Sequence, residues 1–78
     1  MAISEVEWLD IFSGNLRDLL KEARMSQQEL AEDTGIAKST ISKYVNGTQV
    51  PSVFTIIKLA YSLNCSVEDL MDFGDIVE

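Results

Sequence analysis

Ser26-Gln27-Gln28-Glu29-Leu30-Ala31-Glu32-Asp33-Thr34-Gly35-Ile36-Ala37-Lys38-Ser39-Thr40-Ile41-Ser42-Lys43-Tyr44-Val45-Asn46-Gly47 is the stretch that decides the fold. Ser26 stands three residues before Glu29, the spacing of a capping box, in which the serine hydroxyl accepts from a free backbone N–H and the glutamate reaches back to the cap. Leu30, Ala31 and Thr34 then give a narrow inward face to a helix over residues 27–34. Gly35 follows at once and can take the left-handed conformation that ends a helix. Ile36 is apolar and tucks the turn into the core. A second helix, Lys38 to Val45, turns Ile41, Tyr44 and Val45 inward and leaves Lys38, Ser39, Ser42 and Lys43 on its other faces. Ala37 before it is a weak N-cap, and Asn46-Gly47 is a second helix stop.

Two short helices joined by a glycine turn have the geometry of a helix-turn-helix, which sets its second helix into the major groove of DNA. Ala31 suits the crossing, because a leucine there would overpack it at a typical cost of about 1–3 kcal/mol. Alanine is also simply a good helix former. The weight lies on Ala31, Gly35, Ile36 and Ile41 as a set at this spacing.

Working outward, Ser4 with Glu7 is another capping box, followed by Val6, Trp8, Leu9, Ile11 and Phe12. This predicts an extra helix over roughly residues 5–12, which Ser13-Gly14-Asn15 either ends or kinks within one long helix. The next helix reaches about Arg24 with Leu16, Leu19, Leu20 and Ala23 inward. Residues 48–51 form a loop, since proline disfavours helix at the residue before it. Ser52 caps a helix from Val53 to Leu63 whose predicted inward face is Val53, Ile56, Ile57, Ala60 and Leu63, and Asn64 ends it. Ser66 and Asp69 cap a last short helix from Val67 to about Asp72. The apolar leader is expected to pack on its own core or, alternatively, to form a subunit contact. Leu70, Met71, Phe73, Ile76 and Val77 likewise either cover the core or form a dimer face.

The chain resembles the phage lambda repressor and Cro family, also called the Xre family. The likeness runs from about Phe12 to Phe73. It rests on Leu16 and Leu20, Ser26-Gln27-x-Glu29-Leu30-Ala31, Gly35-Ile36, Ser39-Thr40-Ile41-Ser42-Lys43 and Asn46-Gly47. Pro51-Ser52, Leu59-Ala60 with Leu63-Asn64, Ser66-Val67 and Leu70 complete it. Two features depart from the family: Val45 stands where an acidic residue is common, and residues 1–11 form an acidic leader. The resemblance implies an all-α, five- to six-helix, lambda-repressor-like domain filling the chain: an extension at 1–11, the helix-turn-helix domain at 12–73 and a tail at 74–78.

By the same resemblance, base contacts fall to the first turn of the second motif helix and to a position one turn later, here Lys38, Ser39 and Lys43. Lysine donates to guanine acceptors and serine pairs with any base. Ala37 fits a thymine methyl. Gln27, at the N-terminus of the first motif helix, lies where the helix dipole favours an anion, and the family uses this side chain to anchor a phosphate. Thr40 binds a phosphate or its own helix backbone. Asn46, Thr48 and Gln49 face the other backbone strand, contacts that fix register without reading sequence. Arg17, Lys21 and Arg24 either steer DNA or pair with Asp18 and Glu22 on their own helix, and pairing is the expectation favoured.

Composition sets the bounds. Seventy-eight residues make one domain, and 46% apolar content is ample for a core. One cysteine excludes an internal disulfide and suits a reducing cytoplasm. Cys65 is expected to be a small buried residue in a turn rather than a reactive thiol. With no histidine there is no Cys-His nucleophile pair and no plausible zinc site. The carboxylates lie on helix surfaces and in tails, so neither an enzyme nor a cofactor is expected. No stretch is apolar enough to span a membrane, no signal peptide shows, and no small-molecule ligand is evident.

The net charge of −7 is unevenly spread. Residues 36–64 carry +3 with no acid, while residues 1–10 carry −3 and residues 65–78 carry −5. A phosphate backbone would meet this acid-free stretch. Few cations still mean few counterions released, hence modest affinity and a shallow salt slope. The expected function is a sequence-specific, dimeric repressor of prokaryotic or phage origin that occludes a palindromic double-stranded operator. The alternative is a protein-interaction module on the same fold, an antitoxin-like or adaptor subunit, supported by the acidity and the apolar leader.

Overall fold

The computed structural model describes residues 4–71. Five helices follow in order: α1 (Glu5–Ala23), α2 (Gln27–Thr34), α3 (Lys38–Asn46), α4 (Val53–Ser62) and α5 (Val67–Leu70). The expectations for Phe73, Ile76 and Val77 fall outside the described residues.

Short-range chemistry sets most helix starts. Ser4 with Glu7, Ser26 with Glu29 and Ser66 with Asp69 form complete capping boxes, and the Ser52 hydroxyl accepts from the Thr55 N–H. α3 begins at Ala37 with no side-chain cap. α1 is a single helix straight through Ser13-Gly14-Asn15. The polar groups of this stretch are satisfied in place. Ser13 Oγ donates to the Leu9 carbonyl one turn back at 2.5 Å, and Asn15 Nδ2 donates to the Leu70 carbonyl at 3.0 Å. Arg24, in the left-handed conformation at φ 54°, ends α1 without a glycine.

α1 packs on α3 and α5, α2 on α3 and α4, and α4 on α5. The centre holds Phe12, Leu16, Leu30, Ile41, Leu59 and Leu70, with Ala31, Tyr44, Val45, Ile56, Ala60 and Leu63 around them. Trp8 and Leu9 of the leader pack against this core; Trp8 stacks on Phe12 at 5.4 Å between ring centroids.

Two inward assignments on α4 are corrected: Val53 and Ile57 stand outward, and Leu59, which the predicted inward face did not include, is fully buried. Apolar residues cover so much of the circumference of α4 that periodicity alone does not choose the buried side. Ala23 is exposed at the end of α1, and Leu19 is half-buried against the core. Cys65 is half-buried rather than enclosed. Burial, then the charges of Asp69 and Glu22, push its thiol above the ordinary cysteine range. Cys65 is therefore expected to react with thiol reagents at neutral pH more slowly than free cysteine, as an Ellman time course would show.

Candidate nucleic-acid interface

The turn between α2 and α3 is closed by its own hydrogen bonds. Gly35 sits at φ 75° and donates its N–H to the Ala31 carbonyl at 2.9 Å. Thr34 Oγ1 donates to the Leu30 carbonyl at 2.7 Å and accepts from the Ile36 N–H at 3.3 Å. Ala31 is buried in the core, and Ile36 packs against it. A Cβ added at Gly35 would meet nothing within 4 Å, so only the positive φ opposes a side chain. Gly35→Val is expected to cost about 1–3 kcal/mol, the range for a residue forced into a sparsely populated backbone region. Thermal unfolding checks this, and an unchanged melting temperature would mean that the turn tolerates a β-branched residue.

α1 holds the inner face of α3 at three places. Phe12 meets the Tyr44 ring edge-on at 6.3 Å. Arg17 Nη1 donates to the Val45 carbonyl at 2.7 Å. Gly47, at φ 70°, lies so close to α1 that a Cβ there would stand 2.8 Å from Ser13 Oγ. The Arg17 bond corrects the sequence expectation: its guanidinium reaches across to the last turn of α3 rather than pairing only along its own helix. At that position the C-terminal carbonyls welcome a cation.

With Ile41, Tyr44 and Val45 buried, the solvent side of α3 carries two rows one helical turn apart, Lys38–Ser42–Asn46 and Ser39–Lys43. Ala37, Lys38, Ser39, Lys43 and Asn46 are exposed, and Thr40 and Ser42 are half-buried. Asn46 Nδ2 donates to Ser42 Oγ at 3.4 Å, which brings Ser42 into the candidate surface. Ser42 is outward by sequence but not among the expected DNA contacts; its i, i+4 spacing from Lys38 is the signal that includes it. Thr48 directs both its N–H, at 2.9 Å, and its hydroxyl, at 3.3 Å, to the Lys43 carbonyl, closing the end of α3. Gln49 is half-buried in the loop beyond, and Gln27 is half-buried at the first position of α2.

A carboxylate shares the α2 terminus. The Ser26 N–H donates to Glu29 Oε1 at 3.0 Å, and Ser26 Oγ accepts from the Glu29 N–H at 3.0 Å. The backbone bond, and next the Ser26 side chain, hold the Glu29 carboxyl below the ordinary glutamate range. A depressed carboxyl stabilises the fold above its unfolded-state pKa and loses that contribution as pH falls through its folded value. The melting temperature of Glu29→Gln should therefore lie below that of the parent at neutral pH, with the gap closing on acidification into and below the carboxylate range. A gap that does not change with pH would exclude a charge-dependent cap.

Among the described residues, no group of three or more Cys, Asp or Glu is placed to hold a metal ion. No described helix is long and apolar enough to cross a membrane.

Residues 15–75 match the Cro/C1-type HTH DNA-binding domain. The chain belongs to this family. The Cro/C1-type domain is 36% identical over 61 residues to the cryptic phage CTXphi transcriptional repressor RstR of Vibrio cholerae, covering 78% of this chain and 55% of that protein. It is 32% identical over 65 residues to the SPbeta prophage-derived HTH-type transcriptional regulator YotL of Bacillus subtilis, covering 82% and 80%. Among solved structures, the restriction-modification controller protein C.AhdI of Aeromonas hydrophila superposes with a TM-score of 0.76 at 31% identity, over 80% of this chain and 94% of its own. An HTH_3 family regulator from Vibrio cholerae shares the fold at a TM-score of 0.82 and 24% identity, over 86% of this chain and 38% of its own. The chain spans about half the length of RstR and of the Bacillus subtilis regulator YqaE, at 55% and 53%.

Proposed function

We propose that this Cro/C1-type domain is a sequence-specific transcriptional regulator that binds double-stranded DNA as a dimer and represses by occluding its operator. The observation that carries this reading is the outward face of α3, polar and basic, opposite an inner face that α1 holds in the core. Lys38, Ser39 and Lys43 are assigned to base edges and Ala37 to a thymine methyl. Gln27, Thr40, Asn46, Thr48 and Gln49 are assigned to the phosphate backbone. Two copies would set their α3 helices into successive major grooves about 34 Å apart on a near-palindromic site. The names of RstR, a repressor, and C.AhdI, a controller, support regulation as the role. The site of action is the prokaryotic cytoplasm, without a cofactor.

Selection from random duplex DNA at low salt, followed by sequencing, tests the proposal. An enriched two-fold motif is expected. No enrichment from folded protein would favour the other reading, an interaction module, to which the acidity of the chain and the exposed apolar side of α4 lend support. Glu29→Gln adds a second check. It removes a negative charge beside the proposed phosphate position of Gln27, so DNA affinity should rise by about 2- to 5-fold even as the fold loses stability. Unaltered affinity would place the α2 terminus away from the phosphates.

A further inference from the structure

We infer that the outer face of α4 seats a second copy of this chain, related by a two-fold axis; the inference rests on the dimeric reading above and supplies its contact surface. Val53, Ile57 and Tyr61 recur every fourth residue along α4, with Phe54 beside them. They are 73%, 49%, 88% and 69% exposed, respectively. Trp8, Leu9 and Leu70 are accounted for within the protein's own core and Val6 is exposed singly, so this stripe is the main apolar surface presented by the described residues.

Area favours a stable pair. An aromatic side chain buries about 150–250 Å², so Phe54 and Tyr61 offer on the order of 300 Å² together. Val53, Ile57 and the neighbouring Val50 bring the patch to roughly 500 Å², at the upper range of what monomers leave open. An isologous pair buries it twice, about 1,000 Å², which reaches the lower bound for a specific interface.

Charge selects a second copy over an unrelated partner. The chain carries −7, and like chains repel wherever their acids meet. α4 itself carries no acid, so the acids that border the stripe come from other helices, Asp33 at its Ile57–Tyr61 end and Glu5 at its Val53 end. The rim is also self-complementary. Lys58, which lies over the Phe54 ring at 5.5 Å, and Asp33 flank the Ile57–Tyr61 end of the stripe, one cation and one anion on each copy. The stripe shares no residue with the α3 face, which stays open to DNA.

Sedimentation equilibrium without DNA tests this. The parent chain is expected to dimerise. The double variant Phe54→Glu, Tyr61→Glu should weaken self-association by about 30-fold or more, the loss typical of truncating an interface hot spot. Its helical circular dichroism should match that of the parent, because both side chains are already exposed. Val6→Glu, at a position 77% exposed on α1, should leave the dimer intact. A parent that stays monomeric up to millimolar concentration overturns the inference, as does a charged variant that remains fully dimeric. The two proposals fail separately. A dimer lost in the double variant, from a chain that enriches no DNA, keeps the docking face and removes the operator. An operator bound by a monomeric parent does the reverse.

Discussion

Gly47→Ala is expected to destabilise the domain by about 2–5 kcal/mol. Two costs combine. The alanine must hold φ near 70° in the left-handed region, about 1–2 kcal/mol for a residue with a Cβ. Its methyl would also stand 2.8 Å from Ser13 Oγ. Ser13 is buried and tied to the Leu9 carbonyl, so it has no easy way to yield, and overpacking of this kind adds about 1–3 kcal/mol. Such a loss is a large fraction of the stability of a small domain. Gly35→Ala is the control, because it meets the same backbone cost in open space. Ser13→Ala in the Gly47→Ala background should restore the steric part, since Ser13 Cβ alone would lie at an ordinary 3.7 Å. Chemical denaturation of the two singles and the double forms the cycle. Equal losses for Gly35→Ala and Gly47→Ala would show that α1 does not crowd the end of α3.

Lys43→Ala is expected to cost about 1–3 kcal/mol on specific DNA, roughly 5- to 150-fold in affinity. Lys43 is exposed one turn into α3, in a row with Ser39, and its removal leaves the core untouched. It also lies in the last turn of α3, where a cation favours the helix by about 0.3–1 kcal/mol. The melting temperature should therefore fall only slightly, while the band in a gel shift against the selected site weakens strongly. Unchanged binding would remove Lys43 from the contact surface. A loss shared equally by random DNA would make it a phosphate contact rather than a reader of bases.

Features confined to a few consecutive residues were readable in the sequence. The Ser26–Glu29 box, the Gly35 stop and the Ser66–Asp69 box each need no more than four residues, and each stands where expected. The outward face of α3 followed once Ile41, Tyr44 and Val45 had to point inward. What was missed depends on distant partners. Arg17 bonds to Val45, 28 residues away, whereas sequence spacing offers it only neighbours on its own helix. Ser13-Gly14-Asn15 continues α1 because Asn15 finds the Leu70 carbonyl. Val53 and Ile57 read as inward by periodicity because α4 is apolar on more than one side, and only packing against α2 and α5 decides which side is covered. Ser42 belongs to the candidate surface through a hydrogen bond to Asn46 that a list of residue types does not show.

Four of the five helices carry their own start signal, a serine whose hydroxyl meets the first turn, and α3 does not. In time, this difference becomes an order of events. A locally specified turn forms and dissolves within about a microsecond. The contacts from α1 fall at the far end of α3, Phe12 on Tyr44, Arg17 on Val45 and Ser13 beside Gly47, so its uncapped first turn must wait for that end to be seated. Each time the domain breathes, the reading surface is thus expected to be erased first and rewritten last, and the amides of Lys38 and Ser39 should be among the fastest to exchange with deuterium until DNA covers them.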